Sequence, residues 1–332
     1  MELWNDDDAD LVYLNNKTAA ILGYGNQGRA QALNLRDSGV TVVVGNRDDK
    51  YREQAESDGF STLSIAEAAA KGDLLFVLTT DESQPLIWES DIAPGLEPDN
   101  TLVWASGYNV AYELIVPPSD VDVVMVAPRM TGNMVRELYV GGKGAMAQVA
   151  VSQDASGVAK ERMLAVAKAI GCTRGGVYPS SFREEAELDL FAEQVVWAGL
   201  TAWFVECFQI GVEAGFSPEL MVLELYASGE ASEILGLMAR NGFFKQMAHH
   251  STTSQYGTLS RGPDLITEEM KSRARRNLRE DIKGGKFAVE WSREQSADSG
   301  TLASLKKAAF DHPMSKAEES IIALVQKAHN LE

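Results

Sequence analysis

Asp189 and Glu193, four positions apart, lie at the centre of the densest cluster of potential chemistry in the chain. They belong to the stretch Arg183-Glu184-Glu185-Ala186-Glu187-Leu188-Asp189-Leu190-Phe191-Ala192-Glu193-Gln194, which runs into the apolar segment Val195 to Val205. Positions i and i+4 share a helix face, so the two carboxylates project together beside a helix expected to be largely buried. Two like charges there need a cation. A hard ion such as Mg²⁺, which takes oxygen ligands and keeps several of its waters, suits them. A solvated acidic face leading into a core helix would leave the same pattern.

A second cluster lies near the start of the chain. Gly23-Tyr24-Gly25-Asn26-Gln27-Gly28 follows directly on the apolar run Ala19 to Leu22 and opens a helical pattern. In that context glycines allow a tight turn and let the backbone approach a pyrophosphate, whose charge meets the helix N-terminus. The next apolar run ends at Val44-Gly45-Asn46-Arg47-Asp48-Asp49-Lys50-Tyr51-Arg52, where the adenosine ribose of such a cofactor would lie. An acid such as Asp49 suits the 2′-hydroxyl of NAD, whereas Arg47 and Lys50 suit the 2′-phosphate of NADP. A solvated loop of mixed charge accounts for part of the pattern.

The elements that must position these residues change character along the chain. Short β-branched runs at Ala19–Leu22, Val40–Val44, Leu74–Leu78, Leu102–Ala105, Val121–Val126 and Ala145–Val151 alternate with helical patterns. They predict a doubly wound, mainly parallel sheet covered on both faces. After Tyr178-Pro179 only long helical stretches follow, with Ser217-Pro218-Glu219 reading as an N-cap with Pro at the first helical position and Gly215 as the end of the preceding helix. The boundary falls near residues 178 to 183. The expectation is an α/β Rossmann domain over 1–180 and an all-α domain over 181–332.

Composition narrows the partners. A length of 332 residues fits two domains, and 45% hydrophobic residues can build a substantial core. The formal charge of −18 argues against nucleic acid or an anionic membrane surface as partner. Cys172 and Cys207 lack metal-ligand spacing and read as buried thiols of a reducing compartment. The acidic N-terminus is no signal peptide, and Val195–Val205 is too short to span a bilayer. A soluble, cytoplasmic protein is expected.

Several motifs together resemble the ketol-acid reductoisomerase family in its short, class I form. They are Gly23 to Gly28 with Arg29-Ala30-Gln31-Ala32-Leu33-Asn34-Leu35, then Val123-Val124-Met125-Val126-Ala127-Pro128, Phe182 to Gln194, Gly211-Val212-Glu213-Ala214-Gly215-Phe216, Ser251-Thr252-Thr253-Ser254-Gln255-Tyr256-Gly257 and Gly285-Lys286-Phe287-Ala288-Val289-Glu290-Trp291. The resemblance covers nearly the whole chain. It implies a Rossmann domain followed by a knotted helical domain that forms a homodimer or larger assembly, with the active site shared between subunits. It further implies Mg²⁺-dependent alkyl migration in acetolactate or acetohydroxybutyrate, then reduction by NADPH. By matching motif, Asp189, Glu193 and Glu224 become metal ligands and Ser251 a substrate contact.

The departures from the family are chemical ones. Ser106 stands where the family has His after the fourth apolar run, and Arg129 where it has Lys, while His249, His250, His312 and His329 all lie in the C-terminal half. Ser228 stands where the second metal helix should carry Glu, and Glu230, about 200° further round a continuous helix, cannot replace it. These losses predict one Mg²⁺ at most and an isomerase step impaired or lost, because alkyl migration needs a polarised ketone and a nearby base. Arg129 could clamp a carboxylate and Ser106 could hydrogen-bond substrate, although a structural hydroxyl fits Ser106 as well. Met130, the cysteines and the tryptophans read as packing. Asp49 would repel a 2′-phosphate, which tilts the cofactor from NADPH towards NADH. The main expectation is therefore an NAD(P)H-dependent reductase of a 2-keto acid or related imine. A genuine ketol-acid reductoisomerase and a catalytically silent nucleotide-binding dimer are the alternatives.

Overall fold

The computed structural model describes residues 2–297 and 300–329, and the chain divides into two compact units, one up to Asp189 and one from Leu190. In the first, eight strands form one sheet: β1 (Thr18–Leu22), β2 (Thr41–Gly45), β3 (Ser61–Leu63), β4 (Leu74–Val77), β5 (Thr101–Trp104), β6 (Asp122–Pro128), β7 (Ala147–Gln153) and β8 (Val177–Pro179). Their order is β3-β2-β1-β4-β5-β6-β7-β8, and every pairing is parallel except the antiparallel one of β6 with β7. Connections run outwards in both directions from β1, so a crevice opens beyond the carboxyl ends of β1 and β4.

Residues of the central strands alternate between two apolar layers. Ile21, Phe76, Val103 and Val124 join one, and Leu22, Leu75, Trp104 and Met125 the other. Burial on both faces is why these strands read as continuous apolar runs. The two unforeseen strands, β3 and β8, are three residues long, and β3 is exposed or half-buried throughout. Neither carries enough apolar pattern to announce itself.

The charge in this unit that burial would penalise most is compensated. Asp122, wholly buried, accepts from Arg162 at 2.9 Å, from the Ser156 hydroxyl at 2.7 Å and from the amides of Ala155 and Ser156 at 2.9 Å. A buried carboxylate is tolerated when paired and hydrogen-bonded in this way. Cys172 is buried, and burial pushes its thiol up to about 12, consistent with a packing role; Cys207 is half-buried.

The division between the units falls inside a helical stretch that runs from Phe182 to Glu213. Its later part, Ala198–Glu213, buries only Phe208 and Gly211 among the described residues. Val196, Trp197, Trp203 and Ile210 are each about half exposed, so the expected buried helix is uncovered in a single chain. The stretch is long and apolar enough to cross a membrane by length and composition, because the apolar pattern continues past Glu206, beyond the run Val195–Val205. Further on, Ser217 caps the helix Pro218–Val222 through Leu220 N–H, and Gly215, at φ +98°, ends the preceding one, as expected. Phe208, Val222, Met314 and Ala317 form the small buried core of this unit.

Candidate functional site

The glycine-rich turn links β1 to α1 (Asn26–Asp37), and each glycine has a distinct cause. Gly23 adopts φ +101°, and a Cβ there would lie 2.7 Å from Thr79 N. A Cβ on Gly28 would lie 2.0 Å from the Gly23 carbonyl oxygen, so only glycine lets helix and turn pack so closely. A Cβ added at Gly25 would meet nothing within 4 Å, so that side of its backbone faces open space. No side chain caps α1, which leaves first-turn amides available to an anion.

The other residues of the turn brace it. Tyr24 N–H donates to Asn46 Oδ1 at 3.0 Å and its hydroxyl to Asp58 at 2.9 Å; Gln27 donates to the Met130 carbonyl at 2.9 Å, and Asn26 Oδ1 accepts from Gly132 N–H at 2.5 Å. Met130 therefore contributes its backbone, and its exposed side chain is not the packing residue expected from sequence. Beside Gly23 the hydroxyl of Thr79 is buried without a hydrogen-bond partner among the described residues. Open space, free amides and an orphaned hydroxyl fit a dinucleotide.

At the end of β2 the charges are already committed to one another. Asp49 caps α2 (Lys50–Ser57), accepting from Tyr51 N–H and Arg52 N–H, and pairs with Arg47 at 2.6 Å. The Arg47 guanidinium holds the Asp49 carboxyl below its ordinary range. Lys50 lies 5.1 Å from the Tyr51 ring centre.

At the carboxyl ends of β5 and β6 the first turns of the acidic helix join the Rossmann unit. Gly107 comes so close to Phe182 that a Cβ would lie 2.1 Å from its carbonyl oxygen. Glu185, 2% exposed, accepts Gly107 N–H at 2.6 Å and Arg129 Nη1 at 2.7 Å, while Arg129 Nη2 donates to Asp189. Burial pushes the Glu185 carboxyl above its ordinary range, opposed by the Gly107 amide and Arg129. Arg129 thus forks onto two protein carboxylates, where sequence reasoning had it clamping a substrate carboxylate. Ser106 Oγ accepts from Tyr108 N–H at 3.3 Å, a local structural bond. Sequence reasoning passed over Glu185 as a site residue, although Glu185, Asp189 and Glu193 repeat at intervals of four.

Glu193 and Glu224 each lie in a π-helical turn, Ala192–Trp197 and Leu223–Ala227 respectively. Such turns recur at functional sites. Among the described residues no group of three or more His, Cys, Asp or Glu side chains could hold a metal ion. The expected ligands Asp189, Glu193 and Glu224 are carboxylates, the donor type of which Mg²⁺ commonly takes one or two while completing its shell with water. Ser251 caps the helix Thr252–Leu265, its Oγ accepting from Ser254 N–H at 3.2 Å.

One expectation fails on geometry. Glu230 was placed about 200° from Ser228 on a continuous helix, but the helix ends at Ser228, Gly229 interrupts it in a left-handed conformation at φ +90° and Glu230 opens a new helix, Glu230–Asn241. The rotation argument does not apply to it.

Comparison with known proteins agrees along the chain. Residues 13–176 match a family model for the acetohydroxy acid isomeroreductase NADPH-binding domain, and residues 182–327 one for the ketol-acid reductoisomerase C-terminal domain. A protein of Saccharolobus solfataricus named putative ketol-acid reductoisomerase 3 is 45% identical, covering 96% of this chain and 97% of its own. One of Pyrobaculum calidifontis named ketol-acid reductoisomerase (NADP(+)) is 42% identical, covering 94% and 95%. The solved structure of an NADH-preferring ketol-acid reductoisomerase from an uncultured archean superposes with a TM-score of 0.93 at 36% identity, covering 98% and 99%.

Proposed function

The chain belongs to the ketol-acid reductoisomerase family and is an NAD(P)H-dependent oxidoreductase of that kind, and from that premise we propose that it is a working ketol-acid reductoisomerase, converting acetolactate to 2,3-dihydroxyisovalerate. The observation that carries this reading is end-to-end relatedness at 42–45% identity to proteins named for that activity. It favours the full reaction over the impaired reductase that the substituted positions suggested. A silent dimer fits poorly with a glycine turn whose open face at Gly25 has no structural use within the chain.

The residues divide the work. The turn Gly23–Gly28 would hold the pyrophosphate on its backbone and on the N-terminus of α1. Asp49 caps its helix and keeps Arg47 engaged, which supports NADH over NADPH because a 2′-phosphate would meet a carboxylate and a guanidinium already paired. Asp189 and Glu193, with Glu224, would hold Mg²⁺ through carboxylate oxygens. When bound, the metal polarises the substrate's oxygens and the nicotinamide supplies hydride. Arg129 and Glu185 orient the Asp189 carboxylate, and Ser251, at the N-terminus of its helix, would meet the substrate carboxylate.

Exposed Trp197, Trp203 and Ile210 support a homodimer, since an apolar face of that kind needs covering. A second copy suits it better than a bilayer, because the stretch begins with Arg183, Glu184, Glu185, Glu187, Asp189 and Glu193. We take the protein to act in the cytoplasm, each active site drawing on two subunits. The test follows NADH and NADPH oxidation with acetolactate, and separately with 3-hydroxy-3-methyl-2-oxobutyrate, with and without Mg²⁺. Mg²⁺-dependent turnover of acetolactate is expected. Reduction of the keto acid alone would overturn the reading.

A further inference from the structure

We propose that His250 is the proton donor of the reduction step, passing a proton from Nδ1 to the substrate oxygen that becomes a hydroxyl. The inference rests on the reading above that Ser251 meets the substrate carboxylate. Hydride addition to a carbonyl carbon builds charge on its oxygen, and a side chain that exchanges protons near neutrality can neutralise it. The first unit contains no histidine, and His249, His250, His312 and His329 all belong to the second. In that unit His250 lines a cavity of about 790 Å³, together with Ser254. Most of the lining is apolar, including Leu225, Ile234 and Met238, which suits the alkyl part of a keto acid.

The residue is held on three sides, and one ring nitrogen is left over. Its backbone N–H donates to the Met247 carbonyl at 2.9 Å, its carbonyl accepts from Gln255 Nε2 at 2.8 Å, and its Nε2 lies 2.8 Å from Gln246 Oε1. Gln246 is 3% exposed, and its amide oxygen can only accept, so His250 Nε2 carries a hydrogen. Nδ1 has no partner among the described residues. The next residue, Ser251, caps the helix Thr252–Leu265, so the ring stands one residue from the terminus that would seat the substrate carboxylate. As hydride passes from the dihydronicotinamide to the carbonyl carbon, the C=O π pair takes the Nδ1 proton, giving the alcohol, NAD(P)⁺ and a neutral imidazole that regains its proton from solvent. Glu224 and Glu230 are the charged groups sharing the cavity; Lys245 and His249 on the preceding turn, Glu233 and Arg240 on the packed helix, and Arg261 and Asp264 on the following one do not line it. Exposed His249, whose Nε2 lies 3.1 Å from Asn241 Nδ2, is an internal contrast.

The test follows reduction of 3-hydroxy-3-methyl-2-oxobutyrate by the full chain with NADH and Mg²⁺ from about pH 6 to about pH 9, the range over which an imidazole loses its proton. Wild-type kcat should fall as pH rises, because the donor is the protonated ring. His250→Gln should lower kcat about a hundredfold, change KM little and abolish that pH dependence. His249→Gln should match the wild type. Apart from turnover, the nitrogen-15 NMR signal of His250, identified by its loss in His250→Gln, should shift when 2,3-dihydroxyisovalerate binds. A wild-type rate or pH profile in His250→Gln, an equal loss in His249→Gln, or a loss confined to KM overturns the proposal. If His250→Gln melts early, the wild-type NMR signal decides, and an unshifted signal overturns the proposal. Absence of turnover in the wild type overturns the functional reading as well, whereas turnover that His250→Gln leaves untouched removes only the role of His250.

Discussion

The two units solve the same problem, covering apolar surface, to different degrees. In the first, both faces of the sheet are covered by the chain itself, and residues of β1, β4 and β6 are almost wholly buried. In the second, the most apolar stretch of helix has only 11% of its residues buried. A nucleotide-binding unit can be completed within one chain, whereas this helical unit needs a further surface before its sequence makes energetic sense.

The sharpest way to break that comparison is to damage the self-sufficient unit at its tightest point. Gly28→Ala would set a methyl 2.0 Å from the Gly23 carbonyl; it should destabilise the first unit by about 3 kcal/mol or prevent soluble expression, read by thermal denaturation. Gly25→Ala, with open space around it, should leave the melting temperature unchanged and instead weaken NADH binding, read by fluorescence titration. An equal loss of stability in both variants would contradict the division of roles among the glycines.

Removing Glu185 comes next. Glu185→Ala leaves Arg129 and the Gly107 amide without their buried acceptor, and should cost about 2–4 kcal/mol in denaturant unfolding. On the helical unit the expectation is the reverse. Trp203→Glu, on the exposed face, should turn a dimer into a monomer in analytical ultracentrifugation, yet change the stability of that monomer by only about 0.5 kcal/mol. An unaffected oligomer would remove the reason for calling this unit incomplete.

Two smaller effects sharpen the picture within the first unit. Asp49→Ser keeps a capping oxygen for α2 but removes the charge. The ratio of NADPH to NADH efficiency should rise by about tenfold, the equivalent of about 1.4 kcal/mol. Glu185 also predicts a pH signature. Its folded carboxyl is raised above the ordinary value of 4.5, so the folded state binds more protons in the window just above that value. Wild-type stability relative to Glu185→Gln should therefore fall as pH rises from 4.5 through the folded value and then level off. A difference that rises with pH would place the dominant influence on Arg129 rather than on burial.

The glycine turn was legible from sequence because its causes are short-range: a strand end, three glycines and a helix start, all within ten residues. The central strands were legible because burial on both faces imposes an unbroken apolar run. The break at Gly229 was not, since a helical wheel assumes the helix it is drawn on, and the glycine that interrupts it stands just before Glu230. Exposure of Trp197 and Trp203 escaped for another reason. Hydrophobicity states that a surface will be covered without stating by which chain. Glu185 was hidden among five acids in a short stretch, of which only the backbone at Gly107 singles it out.

The fork of Arg129 onto Glu185 and Asp189 bears on how the protein is made. Arg129 already offsets part of the negative charge of Glu185 and Asp189 before any ion arrives, so this unit can fold without waiting for metal, unlike small domains whose metal supplies the folding free energy. A chelator should therefore silence the enzyme and leave its melting curve in place.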